Sequence, residues 1–167
     1  MAARDPSGPA ADPAGAVALD ARGLRFALVA ARFNESWVRR LVDGAREVLA
    51  RQGADASDLE PVWVPGSLEL PLACRWVAEA RRPDAILAFG VVIRGETEHF
   101  RLVAEVSAHG LGTVALQTGI PVLNCVLAAH DVAQVEDRAG GRVGNKGAET
   151  ALAAIRMARL RHELEAR

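Results

Sequence analysis

Apolar residues along this chain follow two alternating rhythms. Residues 24–31, LRFALVAA, form a short apolar run of the kind that makes a buried strand. After Asn34, the residues Trp37, Leu41, Ala45 and Val48 recur every three or four positions, while Arg39, Arg40, Asp43 and Glu47 fall between them. That spacing predicts an amphipathic helix capped by Asn34 and ending near Gly53. A second strand is expected over 59–64, stopped by Pro65-Gly66, and then a helix from about Leu68 to Ala80. Pro71 falls in its first turn, where a missing N–H costs little. The clearest strand is DAILAFGVVI, residues 84–93, which is apolar on both faces, as a parallel strand covered by helices must be. A helix from His99 to Leu111, extending toward Gln117, precedes a strand over 121–127. Asp131 then caps a short helix to Arg138, and the glycine-rich link AGGRVGNKG leads to a last helix from Lys146 to Glu163. Ala148, Leu152 and Ile155 share one face of that helix, and Arg159 and Arg161 are placed to complement its dipole.

This alternation, with no internal repeat, predicts an α/β fold: a three-layer α/β/α sandwich with a central parallel sheet and helices on both faces. In such sheets ligands sit beyond the carboxyl ends of the strands, so the loops that follow strands are the place to look for chemistry.

Composition narrows the picture. The 167 residues fit one domain with its own core. A net charge of −1, no Tyr, three Trp, four Phe and no basic block speak against a nucleic-acid partner. No apolar run approaches the ~20 residues that cross a bilayer, so no membrane partner is expected. Cys74 and Cys125 sit in apolar sequence outside any CxxC pair, which reads as two reduced core thiols in a cytoplasmic protein and not as a metal site. Residues 1–23, rich in Pro, Ala and Gly and without the apolar centre of a secretory signal, read as a mobile arm; residues 24–167 read as the single domain.

Four loops after strands carry unusual residues. The third, RGETEH over 94–99, opens a helix, and a helix start presents free N–H groups to an anion. Thr97 adds a hydroxyl. His99 lies in the first turn, where the dipole disfavours imidazolium and a bound phosphate favours it, which suits a group that takes and returns a proton. Capping by Thr97 with His99 as a surface residue accounts for the same string without any ligand. Phe33 after the first strand is either core or a platform for a flat ring. Glu69, beside Ser67, is either a first-turn acid or a partner for sugar hydroxyls. Four glycines in AGGRVGNKG require tight bends or close approach; Arg138 just before the string and Lys146 within it suit phosphate and compact positive charge. His109 and His162 read as surface residues, and His130 lies at a strand end.

Taken together, ARFNE, WVPGSLELPLA, FGVVIRGETEHF, IPVLNCVL and EDRAGGRVGNKGAE occur in an order that resembles the lumazine synthase family and extend from Leu24 to the last helix. The resemblance implies a flavodoxin-like fold and a condensation of 5-amino-6-(D-ribitylamino)uracil with 3,4-dihydroxy-2-butanone 4-phosphate, with no metal and no cofactor. It implies His99 as the catalytic residue. Phe33, Asn34, Ser67, Leu68, Glu69, Val92, Ile93, Asn124 and Lys146 would bind substrate, and Gly95, Glu96, Thr97 and Arg138 the phosphate. It further implies a homo-oligomer, a pentamer or a sixty-subunit capsid of pentamers, with sites between subunits. Asn124 stands where many members carry Phe, and Ala128-Ala129-His130 replaces a Thr-rich segment. An archaeal-type riboflavin synthase, a non-catalytic flavin or lumazine carrier and a purely structural shell are the competing readings.

Overall fold

The computed structural model describes residues 19–167. Most of the expected N-terminal arm, residues 1–18, lies outside the described residues. From Asp20 onward the chain is already tied down: Ala21 is buried and donates its N–H to the Gln52 carbonyl at 2.8 Å.

Four strands, β1 (Phe26–Ala31), β2 (Val62–Val64), β3 (Ala85–Ile93) and β4 (Val122–Ala129), form one parallel sheet in the order β2-β1-β3-β4. Helices α1 (Glu35–Arg51), α2 (Leu70–Arg81), α3 (His99–Thr118), α4 (Val132–Arg138) and α5 (Lys146–Glu165) surround it. Successive strand residues point to opposite faces, and here each face has its own core. Phe26, Leu28, Ala30, Leu87 and Phe89 pack with α1 and α5, whereas Ala27, Val29, Ala31, Ile86 and Ala88 pack with α2 and α3. The three-layer α/β/α architecture follows directly. The chain leaves β1 toward β2 and leaves β3 toward β4, so the sheet reverses direction between β1 and β3, the point where such folds open a crevice.

Several local expectations change. The second strand shrinks to three residues because residues 56–59 form a 3-10 turn and Pro61 has no N–H to give. The helix expected from Leu68 starts as a 3-10 turn over Ser67–Glu69 and becomes α-helical only at Leu70, with Pro71 in its first turn. The buried face of α1 is Val38, Leu41, Val42, Ala45 and Leu49; Trp37 and Val48 lie at its rim. In α5 the buried side is Gly147, Ala151, Ala154, Ile155 and Ala158, so of the three residues expected there only Ile155 belongs to the core. Arg159 does not serve the dipole of its own helix: its guanidinium donates to the carbonyls of Asp20 and Arg22, both at 2.8 Å. His162 is not a free surface residue but lies 2.7 Å from the Asp84 carboxylate.

The glycine-rich link is a small antiparallel hairpin, β5 (Ala139–Gly141) and β6 (Gly144–Asn145). Asn145 then caps α5, accepting from the N–H groups of Gly147 and Ala148, while its amide donates to the Arg40 carbonyl on α1. Gly147 is a close-approach residue: a Cβ there would lie 1.8 Å from the Leu41 carbonyl oxygen. The GNKG string is therefore explained in large part by the docking of α5 on α1.

Candidate active site

A cleft of about 430 Å³ opens at the carboxyl end of the sheet, at the β1–β3 reversal. Each of three strands delivers one wall. Past β1, the Arg32 and Phe33 N–H groups donate to Val64 (2.8 Å) and Pro65 (3.1 Å) carbonyls, which extends the β1–β2 ladder and turns the Phe33 ring outward. Phe33 is 72% exposed, a large flat apolar surface with no packing of its own, and it is not a core residue. Past β2, Ser67, Leu68 and Glu69 form the tight turn before α2. Ser67 is buried against Gly90, where any Cβ would sit 2.5 Å from its hydroxyl oxygen. The third wall is Val92 and Ile93 at the end of β3, followed by Gly95, Thr97 and His99 at the start of α3.

His99 is the first residue of α3, a helix of 20 residues, and its side chain is exposed to the cleft. The N–H groups of that first turn have no partner within the helix and carry the positive end of the dipole. Thr97 caps only weakly, its hydroxyl accepting from the His99 N–H at 3.4 Å. The Thr97 hydroxyl and the weakly held His99 N–H thus remain available to an anion, whereas the Arg101 and Leu102 N–H groups are taken by the Glu98 carbonyl at 3.0 and 3.4 Å.

Of the residues singled out from sequence, the chain brings together Phe33, Ser67, Leu68, Glu69, Val92, Ile93, Gly95, Thr97 and His99. It does not bring Asn34, Glu96, Asn124, Arg138 or Lys146 to the cleft lining. The expected helix cap at Asn34 is also corrected: its backbone is left-handed, and its amide donates 2.8 Å to the Val91 carbonyl instead of accepting from α1. Asn124 lies on β4, the edge strand among the described residues, where its side-chain oxygen accepts from the N–H of Val126. Arg138, in the last turn of α4, donates to the Gln134 carbonyl at 3.0 Å, and Lys146 pairs with Glu149. Among the described lining residues there is no Lys or Arg; Glu69 and His99 are its only ionisable side chains.

Sequence reasoning missed Phe100 and Val103, which line the cleft beside His99. Their one- and four-residue offsets from His99 place all three on neighbouring parts of one helix surface, a signal that was present. It also missed Ser107, fully buried in α3, whose hydroxyl lies 2.9 Å from the Ser67 carbonyl and 2.6 Å from that of Val103 and donates to one of them at a time. That contact links the helix bearing His99 to the Ser67 turn. Cys74 and Cys125 are both buried and unpaired, and burial pushes their thiols up to about 12 and about 11. Among the described residues no His/Cys/Asp/Glu group is arranged to hold a metal, and no helix is long and apolar enough to cross a membrane.

A three-layer α/β/α sheet with an apolar-walled crevice at its strand reversal, an exposed ring at one wall and a helix start beside an imidazole at another places this chain among α/β proteins with a small-molecule cleft. Comparison with known proteins agrees. Residues 23–162 match the family model for 6,7-dimethyl-8-ribityllumazine synthase, and the chain belongs to that family. It is 50% identical over 142 residues to the 6,7-dimethyl-8-ribityllumazine synthase of Halorhodospira halophila, a match covering 85% of this chain and 91% of that protein.

Proposed function

We propose that this chain is the transferase that condenses 5-amino-6-(D-ribitylamino)uracil with 3,4-dihydroxy-2-butanone 4-phosphate, giving 6,7-dimethyl-8-ribityllumazine, phosphate and water. The observation that carries the reading is the meeting of Phe33, the Ser67–Glu69 turn, the end of β3 and the start of α3 around one cleft. Phe33 stacks on the pyrimidine, the Val92–Ile93 backbone reads its polar edge, and Ser67, Leu68 and Glu69 hold the ribityl chain. The phosphate lies against Gly95 and Thr97, with only the backbone of Glu96 between them offered to it, where N–H groups and dipole favour it. Catalysis is then mainly positioning: the arylamine is held against the ketone, a Schiff base forms with loss of one water, phosphate departs, and the second amine closes the ring with loss of a second water. His99 moves protons between these steps. Family membership favours this condensation over dismutation of the lumazine product.

Among the described residues no Lys or Arg lines the cleft, although one substrate is a phosphate ester. We therefore propose that a neighbouring subunit supplies Arg138 and covers the ring with Asn124. Arg suits the task because its planar fork binds two phosphate oxygens at once. Exposed apolar side chains on α3, namely Leu102, Val106 and Leu116, support burial of this helix between subunits of a ring, in a pentamer. The β5–β6 hairpin has only two residues, Arg142 and Val143, between its strands, which suits the capsid-forming members of the family and makes a sixty-subunit shell the finer proposal. Two unpaired thiols fit a reducing, cytoplasmic location.

The test is direct: purified protein with both precursors must generate the lumazine absorbance and release phosphate, and light scattering must show a multiple of five chains. Protein that binds lumazine but forms none from the precursors is a carrier instead.

A further inference from the structure

Phe33 has an unusual problem. Its ring is 72% exposed, so side-chain packing does not fix where it points. The backbone must do so, and the backbone anchors are unequal. On the β2 side two N–H groups, from Arg32 and Phe33, donate to Val64 and Pro65. On the β3 side the register of β1 with β3 ends at Ala30 and Phe89. Beyond it, the Val91 carbonyl is taken by the Asn34 side-chain amide at 2.8 Å.

Asn34 also has φ 60° and ψ 37°, a left-handed conformation shared among described non-glycine residues only with Arg82. Asn tolerates that region better than other side chains that bear a Cβ. The same left-handed residue offers its carbonyl to the N–H groups of Trp37 and Val38, starting α1. Two demands therefore converge on one position: a backbone that turns sharply out of β1, and a donor long enough to reach β3.

We propose that Asn34 is a positioning residue for the ring platform: its left-handed turn and its amide clamp on the Val91 carbonyl hold Phe33 over the cleft. It acts through Phe33: one of its amide N–H groups is held by the Val91 carbonyl, and its side chain is not among the described residues that line the cleft. The proposal rests on the reading of Phe33 as the pyrimidine platform.

Steady-state kinetics on the assembled enzyme with both precursors test it. Asn34→Gly keeps the turn and loses only the clamp. It is expected to raise KM for the pyrimidine about 5–10-fold, the worth of one hydrogen bond, with KM for the butanone phosphate changed less than about twofold. Asn34→Asp keeps the same tolerance of the turn but sets a carboxylate against the Val91 carbonyl, and its pyrimidine KM must be at least as high. The decisive measurement is a double-mutant cycle with Phe33→Ala. A residue that works only by placing the ring adds nothing once the ring is gone, so Phe33→Ala with Asn34→Gly must match Phe33→Ala alone. Multiplying effects, equal rises in both KM values, or a wild-type KM in Asn34→Gly would each overturn the proposal while leaving the condensation intact. Absence of lumazine formation by the wild type would instead remove the reading beneath it.

Discussion

Gly147 offers the most exacting check of how the fold is held. It is the second residue of α5, and a methyl group there would lie 1.8 Å from the Leu41 carbonyl oxygen and 2.6 Å from its carbon. The obstacle is the backbone of α1, not a side chain that can rotate away. Restoring ordinary contact needs a shift of roughly 1.5 Å between two helices packed at interior density. Overpacking a well-filled core costs about 1–3 kcal/mol, and a rigid obstacle places Gly147→Ala at the upper end. The shift also pulls on the Asn145 cap, itself worth about 1 kcal/mol. The sum, about 3–4 kcal/mol, corresponds to a melting temperature lower by roughly 6–16 °C for a chain of this size. Gly119→Ala is the control. Gly119 has φ +67° and open space around its Cβ position, so substitution there meets only the left-handed penalty of about 1–2 kcal/mol. Thermal unfolding followed by circular dichroism, with assembly state matched by light scattering, reads both. If Gly147→Ala melts at or above Gly119→Ala, close approach of α5 to α1 does not explain the GNKG string.

Three further outcomes are expected. Because the His99 side chain is exposed, His99→Ala should leave the melting temperature within about 2 °C of the parent. Bulk water can stand in for part of its proton transfer, so turnover should fall to the lower end of the usual ~10²–10⁴-fold range; unchanged turnover in single-turnover absorbance traces would remove its acid–base role. Arg138→Ala should raise KM for the butanone phosphate more than KM for the pyrimidine. If the guanidinium comes from a neighbour, refolding it 1:1 with His99→Ala should restore about a quarter of the sites, whereas no recovery would place Arg138 and His99 in one subunit's site. Cys74 and Cys125 should resist a thiol reagent at pH 8 in the folded protein and react in urea. Their folded values lie above the ordinary thiol value of 9.0, so the folded state holds protons that the unfolded chain releases. Stability from this source is complete below pH 9 and is lost as pH rises toward 11–12; urea midpoints that rise across that window would contradict the burial of both thiols.

The order of strands and helices was legible in the sequence because local periodicity reports which face of an element is buried, and here the two periods alternate without interruption. The apolar run at 84–93 could be read as a central strand for the same reason. The loop residues Phe33, Ser67, Glu69, Thr97 and His99 were legible as candidates from their place after strands. What sequence left open was decided by contacts between distant elements. The fate of Asn34, a core or platform role for Phe33, and the docking of the α5 start at Asn145 each turned on a partner far along the chain: Val91, Pro65 or Arg40. Three-dimensional placement also separated Arg138, Lys146 and Asn124 from the cleft that Thr97 and His99 share. A residue's neighbours in sequence set its backbone preferences, but only packing of the whole sheet and its helices sets the distances on which hydrogen bonds and charge recognition depend.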